Sequence, residues 1–250
     1  MNHERRSKII ELLNKQNTIT NAELMETFNI SIETVRRDLA YLEERGLIDK
    51  VYGGAVRKSY MKVEPAYLKR EKENATEKTQ IAKVCEALIQ PNDSVFFDTG
   101  STVLLVARFL DVNKGNTTFT NSLRTAIELS DKGVNVVIPG GELRSGEFSL
   151  SGSLTESNML SFNIDKAIIG VGGITENGIT DYIIKEASIR SQIIKNAQTV
   201  IAICDYSKFG IRAICNICNI EDIDVLITDK NAPKDIIKLI EKKGVEVIIV

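Results

Sequence analysis

The sequence predicts an α/β chain in two parts, a small helical head closed by a β-hairpin and a larger domain of alternating strands and helices. Three observations carry this. Residues 1–57 hold three apolar stripes at helical spacing, then a short alternating run with a Gly-Gly pair. Residues 58–75 are polar and charged, include Pro65, and read as a linker. From residue 76 onward short apolar runs alternate with amphipathic ones, the pattern of a largely parallel sheet covered on both faces.

The 250 residues suffice for one large domain, or a large and a small one, with a real core. With 43% apolar and 26% charged residues and a net charge of −2, the chain is not dominated by disorder. No apolar run is long enough to span a bilayer. The charged start, Met1 to Arg6, is followed by no apolar signal core, so a cytoplasmic protein with no membrane association is expected. Residues 1–70 carry 13 basic against 10 acidic side chains, the remainder 19 against 24. A basic module on an acidic body fits a local phosphate footprint. Cys215 and Cys218 have the spacing of a zinc or redox pair. There is no second pair, and the one histidine, His3, is far away, so neither metal nor cofactor is expected.

The head reads element by element. Ile9, Ile10, Leu12 and Leu13 cluster on a first helix between Arg5 and Lys15. Thr20-Asn-Ala-Glu23 is a capping box opening a short second helix that buries Leu24, Met25 and Phe28. After Asn29-Ile30, Ser31 caps a third helix, with Glu33 in its first turn and Val35, Leu39 and Leu42 on its buried face. Gly46 is expected as a left-handed cap. Leu47 to Tyr52 alternates like a strand, Gly53-Gly54 is the expected turn, and Ala55 to Arg57 returns.

This is the layout of a winged helix-turn-helix. The free face of the third helix is expected to carry Ser31, Glu33, Thr34, Arg36, Arg37 and Asp38. Such a helix fits the major groove. Adjacent arginines point about 100° apart, so one can read a guanine edge while the other grips phosphate. Lys50, Tyr52, Gly53, Gly54 and Arg57 form the expected wing contact. The competing reading is a small bundle with a solvated charged face. The capped short helix, tight turn and Arg-Arg pair together favour operator DNA as partner, bound by a symmetric homo-oligomer, a dimer or tetramer.

Here a family resemblance enters. Ser31-Ile-Glu-Thr-Val-Arg-Arg-Asp-Leu39, Leu42-Glu-Glu-Arg-Gly-Leu-Ile48 and Gly53-Gly-Ala55 resemble the signature of the DeoR family of bacterial transcriptional regulators. Asp98-Thr-Gly-Ser-Thr102, Thr120-Asn-Ser122, Pro139-Gly-Gly-Glu-Leu143, Gly170-Val-Gly-Gly-Ile174, Glu186-Ala187, Asp205-Tyr-Ser-Lys-Phe-Gly210 and Ile223 to Asp229 continue it in order. The resemblance implies a DNA-binding head (1–57) joined through a linker (58–75) to a sensor (76–250). The sensor would be similar in fold to ribose-phosphate isomerases and would bind a phosphorylated sugar, the whole being a regulator, in the family's manner a repressor, of a sugar-metabolism operon.

The larger domain can also be read from its residues. Expected strands are 94–97, 117–119, 134–138, 167–169, 200–203, 225–227 and 245–250. Helices are expected at 81–89, 103–110, 123–129, 183–196 and 234–242. In parallel sheets ligands sit beyond the carboxyl ends of strands. That rule selects Asp98 to Thr102, Thr120 to Ser122, Gly140-Gly141, Gly170 to Gly173 and Asp205 to Lys208. Asp98, Thr99, Gly100, Ser101 and Thr102 follow a strand and open a helix, a phosphate cradle of the helix-dipole type. The competing reading is an ordinary capped turn. Lys208 is the candidate counter-cation, and Asp98, Asn121, Asp181 and Glu186 are candidate acceptors for sugar hydroxyls, with Gly141 beside them. Gly170-Val-Gly172-Gly173 lacks the third glycine of a dinucleotide fingerprint and reads as a close backbone approach.

Two positions depart from the family pattern. Tyr52 stands where the family usually has histidine, and Arg190-Ser191 where it often has Lys-Arg. Tyrosine keeps an aromatic body with a hydrogen-bonding tip, whereas Ser191 loses a cation. Two alternatives stay open: the sensor is a working isomerase, with Glu186 as the one nominated base, or DNA binding is independent of any effector.

Overall fold

The computed structural model describes residues 2–16, 18–57 and 64–250. The head contains α1 (Asn2–Gln16), β1 (Thr18–Thr20), α2 (Asn21–Phe28), α3 (Ile32–Glu44), β2 (Ile48–Val51) and β3 (Gly54–Arg57). The caps form as their residues dictate. Thr20 Oγ1 accepts from the Glu23 amide at 3.2 Å, and Glu23 Oε2 accepts from the Thr20 amide at 2.7 Å. Ser31 Oγ accepts from the Thr34 amide. At the end of α3, Gly46 takes φ +69°, and the amides of Gly46 and Leu47 reach back to Glu43 and Leu42. This closure stops the helix. Ile9, Leu13, Leu24, Val35, Leu39, Leu42 and Ile48 form the head core. Full burial of each large aliphatic contributes about 1.5–3 kcal/mol.

Four expectations for this region change. Met25 stands exposed on α2, which packs Leu24 and, partly, Phe28 into the head core. The wing turn is Tyr52-Gly53, because Val51 pairs with Gly54. Gly54 lies in β3, which is sandwiched between β2 and β1. A Cβ there would stand 2.1 Å from the Ile19 carbonyl oxygen, so Gly54 is needed for strand packing and not for contact at the wing tip. Asp38 is buried instead of facing outward, gripped by Arg5 at 2.5 Å and Arg6 at 2.7 Å. The stretch 58–75 contains α4 (Tyr67–Lys72), whose Arg70 pairs with Glu64 of the same stretch and with Glu147 of the larger domain.

The larger domain continues with α5 (Ala75–Ala87), β4 (Ser94–Phe97), α6 (Ser101–Phe109), β5 (Thr117–Thr120), α7 (Leu123–Asp131) and β6 (Val136–Val137). An excursion follows: β7 (Glu142–Arg144), β8 (Ser149–Ser151) and α8 (Ser153–Met159). Next come β9 (Ile164–Gly170), β10 (Gly173–Thr175), β11 (Gly178–Asp181), α9 (Ile184–Asn196), β12 (Ala197–Ile203), β13 (Cys215–Asn219), β14 (Val225–Thr228), α10 (Lys234–Lys242) and β15 (Glu246–Ile249). Seven strands form one parallel sheet in the order β15-β14-β12-β9-β4-β5-β6.

Period-two alternation distributes the core to both faces. Val95, Phe97, Ile168, Ile201, Ile203 and Ile227 pack with α5 and α6. Phe96, Ala167, Ile169, Val200, Ala202 and Leu226 pack with α9 and α10. The sequence pattern did not foresee the antiparallel sheet β10-β11-β13 or the hairpin β7-β8. Their strands are too short to show a period. Cys215 and Cys218 lie on β13, and no metal-holding cluster occurs among the described residues. Burial pushes the Cys218 thiol up to about 12, the opposite of a reactive thiolate. Leu47 of the head packs beside Tyr182, Ile211 and Ala213 of the larger domain.

Candidate functional site

On α3, Ser31, Glu33, Arg36 and Arg37 are exposed, and Thr34 is half-buried beside Ser31. Arg36 and Arg37 form no ion pair among the described residues. The Arg5–Asp38–Arg6 cluster lies on the buried side of the same turn, and Arg6 also covers the Tyr41 ring at 3.7 Å. The cluster fixes the helix, so the outward arginines are presented by a rigid element. Tyr52 stands fully exposed at the wing tip with Gly53 at φ +82°. Lys50 is exposed on the wing, 3.4 Å from Glu43.

A second concave site lies beyond the carboxyl ends of β4, β9 and β12. Thr99, Gly100, Ser101 and Thr102 form one wall, Gly170 to Gly172 another, and Asp205 with Lys208 a third. The glycines allow close approach: a Cβ on Gly170 would stand 2.7 Å from the Thr99 carbonyl oxygen. Gly100 takes φ +134° to turn β4 into α6. The leading amides of α6 have no acceptor within the helix and carry its positive dipole end.

Two cations here were not among the residues expected from the sequence. Lys78 of α5 is buried, donates to Ser101 Oγ at 3.3 Å and also donates to the Arg70 carbonyl. Arg70 itself lines the pocket from α4. Burial pulls the Lys78 ammonium down to about 8, with Asp205 opposing and the charges of Lys208 and Arg70 adding to it. Lys208 is lowered too, by burial first, with Arg70 adding and Asp205 opposing. Buried cations lowered in this way gain from an arriving anion.

The expected carboxylate acceptors are otherwise engaged. Asp98 is fully buried and its Oδ2 accepts from Arg190 Nε at 2.5 Å and the Gly170 amide at 3.0 Å. Asp181 pairs with the same Arg190 and accepts from the amides of Tyr182 and Ile183. Arg190 further donates to Thr99 Oγ1 at 2.6 Å. Asp98 and Asp181 therefore brace the cradle instead of greeting hydroxyls. Asn121, Gly141 and Glu186 lie outside the pocket lining. Asn121 bonds the Leu150 carbonyl, and Gly141 is packed against Thr155. Glu186 accepts from Ser149 and Arg144. Burial raises its carboxyl against those two bonds. The one base nominated for isomerase chemistry is thus committed elsewhere.

Residues 5–60 match the DeoR-like helix-turn-helix domain, and residues 73–230 match the DeoR C terminal sensor domain. The chain belongs to the DeoR family. The DeoR-family chain is 35% identical to the HTH-type transcriptional regulator GolR of Listeria innocua, covering 98% of both. It is 34% identical to the HTH-type transcriptional repressor GlcR of Bacillus subtilis, over 98% of this chain and 95% of that one. The glycerol-3-phosphate regulon repressor of Escherichia coli is 32% identical, over 95% and 94%. These relatives carry the names of regulators and repressors, not of enzymes. Among solved structures, ribose 5-phosphate isomerase A of Methanocaldococcus jannaschii has a TM-score of 0.42 at 16% identity, over 55% of each chain. That likeness is too loose to bear on activity. No helix among the described residues is long and apolar enough to cross a membrane.

The Lys78 environment makes a pH prediction. Lys78 in this pocket has its pKa lowered to about 8; a dianion held there would restore its affinity for the proton. Binding above that pH therefore takes up a proton, and the Kd for inorganic phosphate is expected to rise up to about tenfold per pH unit. Titration calorimetry from pH 7 to 9.5 checks this, and Lys78→Arg, which stays charged, is expected to flatten the slope.

Proposed function

We propose that this DeoR-family regulator represses genes of sugar-related metabolism, and that a phosphorylated sugar in the sensor pocket controls its hold on operator DNA. The observation carrying the reading is that Lys78, Lys208 and Arg70 line one pocket together with the first turn of α6. Three cations and a helix N-terminus suit a phosphate group. The names of the relatives agree: one is a glycerol-3-phosphate regulon repressor and another a putative aga operon repressor. In this reading the head (1–57) and the sensor (76–250) are separate working units, and the protein acts in the cytoplasm. It binds inverted half-sites as a symmetric oligomer. Ligand that weakens operator binding is itself held less tightly by the DNA complex, and a coupling of about 1–3 kcal/mol makes a useful switch.

Thermal unfolding against a panel of sugars and their phosphates tests the proposal. A ligand at a hundredfold excess over Kd stabilises the folded state by about 2.7 kcal/mol. A rise in Tm with a phosphorylated sugar, absent for its unphosphorylated form and lost in Lys208→Ala, is the expected result. No shift with any member of the panel overturns the effector part of the reading and favours effector-independent DNA binding.

A further inference from the structure

The effector pocket already contains an acid that does not belong to the sensor scaffold. Glu64 lines the pocket from the segment that joins head and sensor. Its Oε1 lies 3.0 Å from Arg70 Nη2, and its Oε2 accepts from Arg144 Nη2 at 2.7 Å. The other pocket acids are tied to fixed elements. Asp181 is locked by Arg190 and two amides. Asp205 accepts from Asn74 and the Ser207 amide. Among the described residues, Glu64 is the one pocket acid held by side-chain cations only, and one of those cations, Arg70, itself faces the pocket.

We infer that Glu64 is a built-in stand-in for the effector's anionic group, and that a phosphate entering the pocket displaces it. This deepens the proposed function and rests on it. The argument is electrostatic. A phosphate seated on α6 brings close to two negative charges into a pocket that already holds the Glu64 carboxylate. Like charges in a desolvated site repel. Arg70 offers a fork that serves carboxylate and phosphate equally well in geometry. Arg70 keeps Glu147 at 2.5 Å and Arg144 keeps Glu186 at 2.9 Å when Glu64 departs. Neither arginine is then left as a buried unpaired charge, so the exchange meets no large penalty on the protein side.

The consequence is a route from ligand to head. Seven positions separate Glu64 from Arg57, where the wing strand ends. Releasing Glu64 unpins the sensor end of that short connection. Occupied and empty pockets then hold the head differently, which is the differential contact that a ligand-controlled switch requires.

Glu64→Gln tests this with inorganic phosphate as probe, Kd being read by calorimetry and amide exchange being followed by mass spectrometry over residues 64–73. The substitution keeps shape and leaves both arginines partnered. The variant is expected to bind phosphate at least about tenfold more tightly than the wild type. It should also show, without phosphate, the faster exchange that the wild type shows only with it. Glu147→Gln, which removes the same charge from Arg70 on the sensor side, is expected to leave exchange in the ligand-free joining segment slow. Equal affinity in Glu64→Gln and wild type, or slower exchange of 64–73 in wild type on adding phosphate, overturns the displacement. If the wild type binds neither phosphate nor any phosphorylated sugar, the effector reading falls, and this inference with it.

Discussion

Arg190→Ala is expected to lower folding stability by about 3–5 kcal/mol, the usual cost of removing one partner from a buried ion cluster. Arg190 is almost wholly buried in α9 and ties together Asp98 after β4, Asp181 at the end of β11, and the Thr99 hydroxyl. Its removal leaves two buried carboxylates without their cation. Burial already raises the Asp98 carboxyl, and Arg190 is the largest influence opposing that rise. In the variant the Asp98 carboxyl loses that opposing charge and shifts further upward, so the folded state binds more protons than the unfolded chain. The deficit is therefore expected to be largest at neutral pH and to shrink as pH falls through the raised Asp98 value. Urea unfolding at pH 7 and pH 5 measures both. A loss below about 1 kcal/mol at pH 7 would mean that the cluster is solvated and does not brace the cradle. Arg190→Lys is expected to recover little, since a single ammonium cannot reach Asp98, Asp181 and Thr99 together.

That cluster also shows why the site was only partly legible in the sequence. Signals confined to one or two helical turns were read directly. The Thr20–Glu23 box, the Ser31 cap, the Gly46 stop and the bounds of α10 depend on neighbours within a few residues. Asp38 was misassigned because its partners, Arg5 and Arg6, lie more than thirty positions away, and periodicity carries no information about them.

The rule that ligands sit beyond strand ends selected too many loops, and the sheet order explains which ones count. From β4 the chain winds outward through β5 and β6; from β9 it winds the other way through β12, β14 and β15. The switch point lies between β4 and β9, where the crevice opens. Asn121, at the end of β5, sits one strand too far along. Lys78 did leave a trace. It falls on the stripe Lys78, Ile81, Ala82, Cys85, all buried on α5. A lysine on an apolar stripe is a buried cation, and a buried cation wants an anion.

The head permits a cleaner separation. Arg36→Ala and Arg37→Ala are each expected to weaken operator binding by about 10- to 100-fold, following the 1–3 kcal/mol attached to a good base contact. The double variant should lose specific binding altogether. The operator is first selected from a random duplex library, and affinities are measured by fluorescence anisotropy at several salt concentrations. Both side chains are exposed, so stability should change by no more than about 0.5 kcal/mol. The two substitutions should not look alike. Neighbours on a helix diverge by about 100°, so one arginine faces the base edges when the other faces the backbone. Loss of the phosphate contact lowers the salt slope by about one and weakens all sequences alike; loss of the base contact relaxes preference at one position. Ligand-induced stabilisation of the sensor should survive in both variants, since neither arginine lines the pocket. If either substitution abolished ligand binding as well, the head would be part of the effector site, and the division of labour between α3 and the α6 cradle would be wrong.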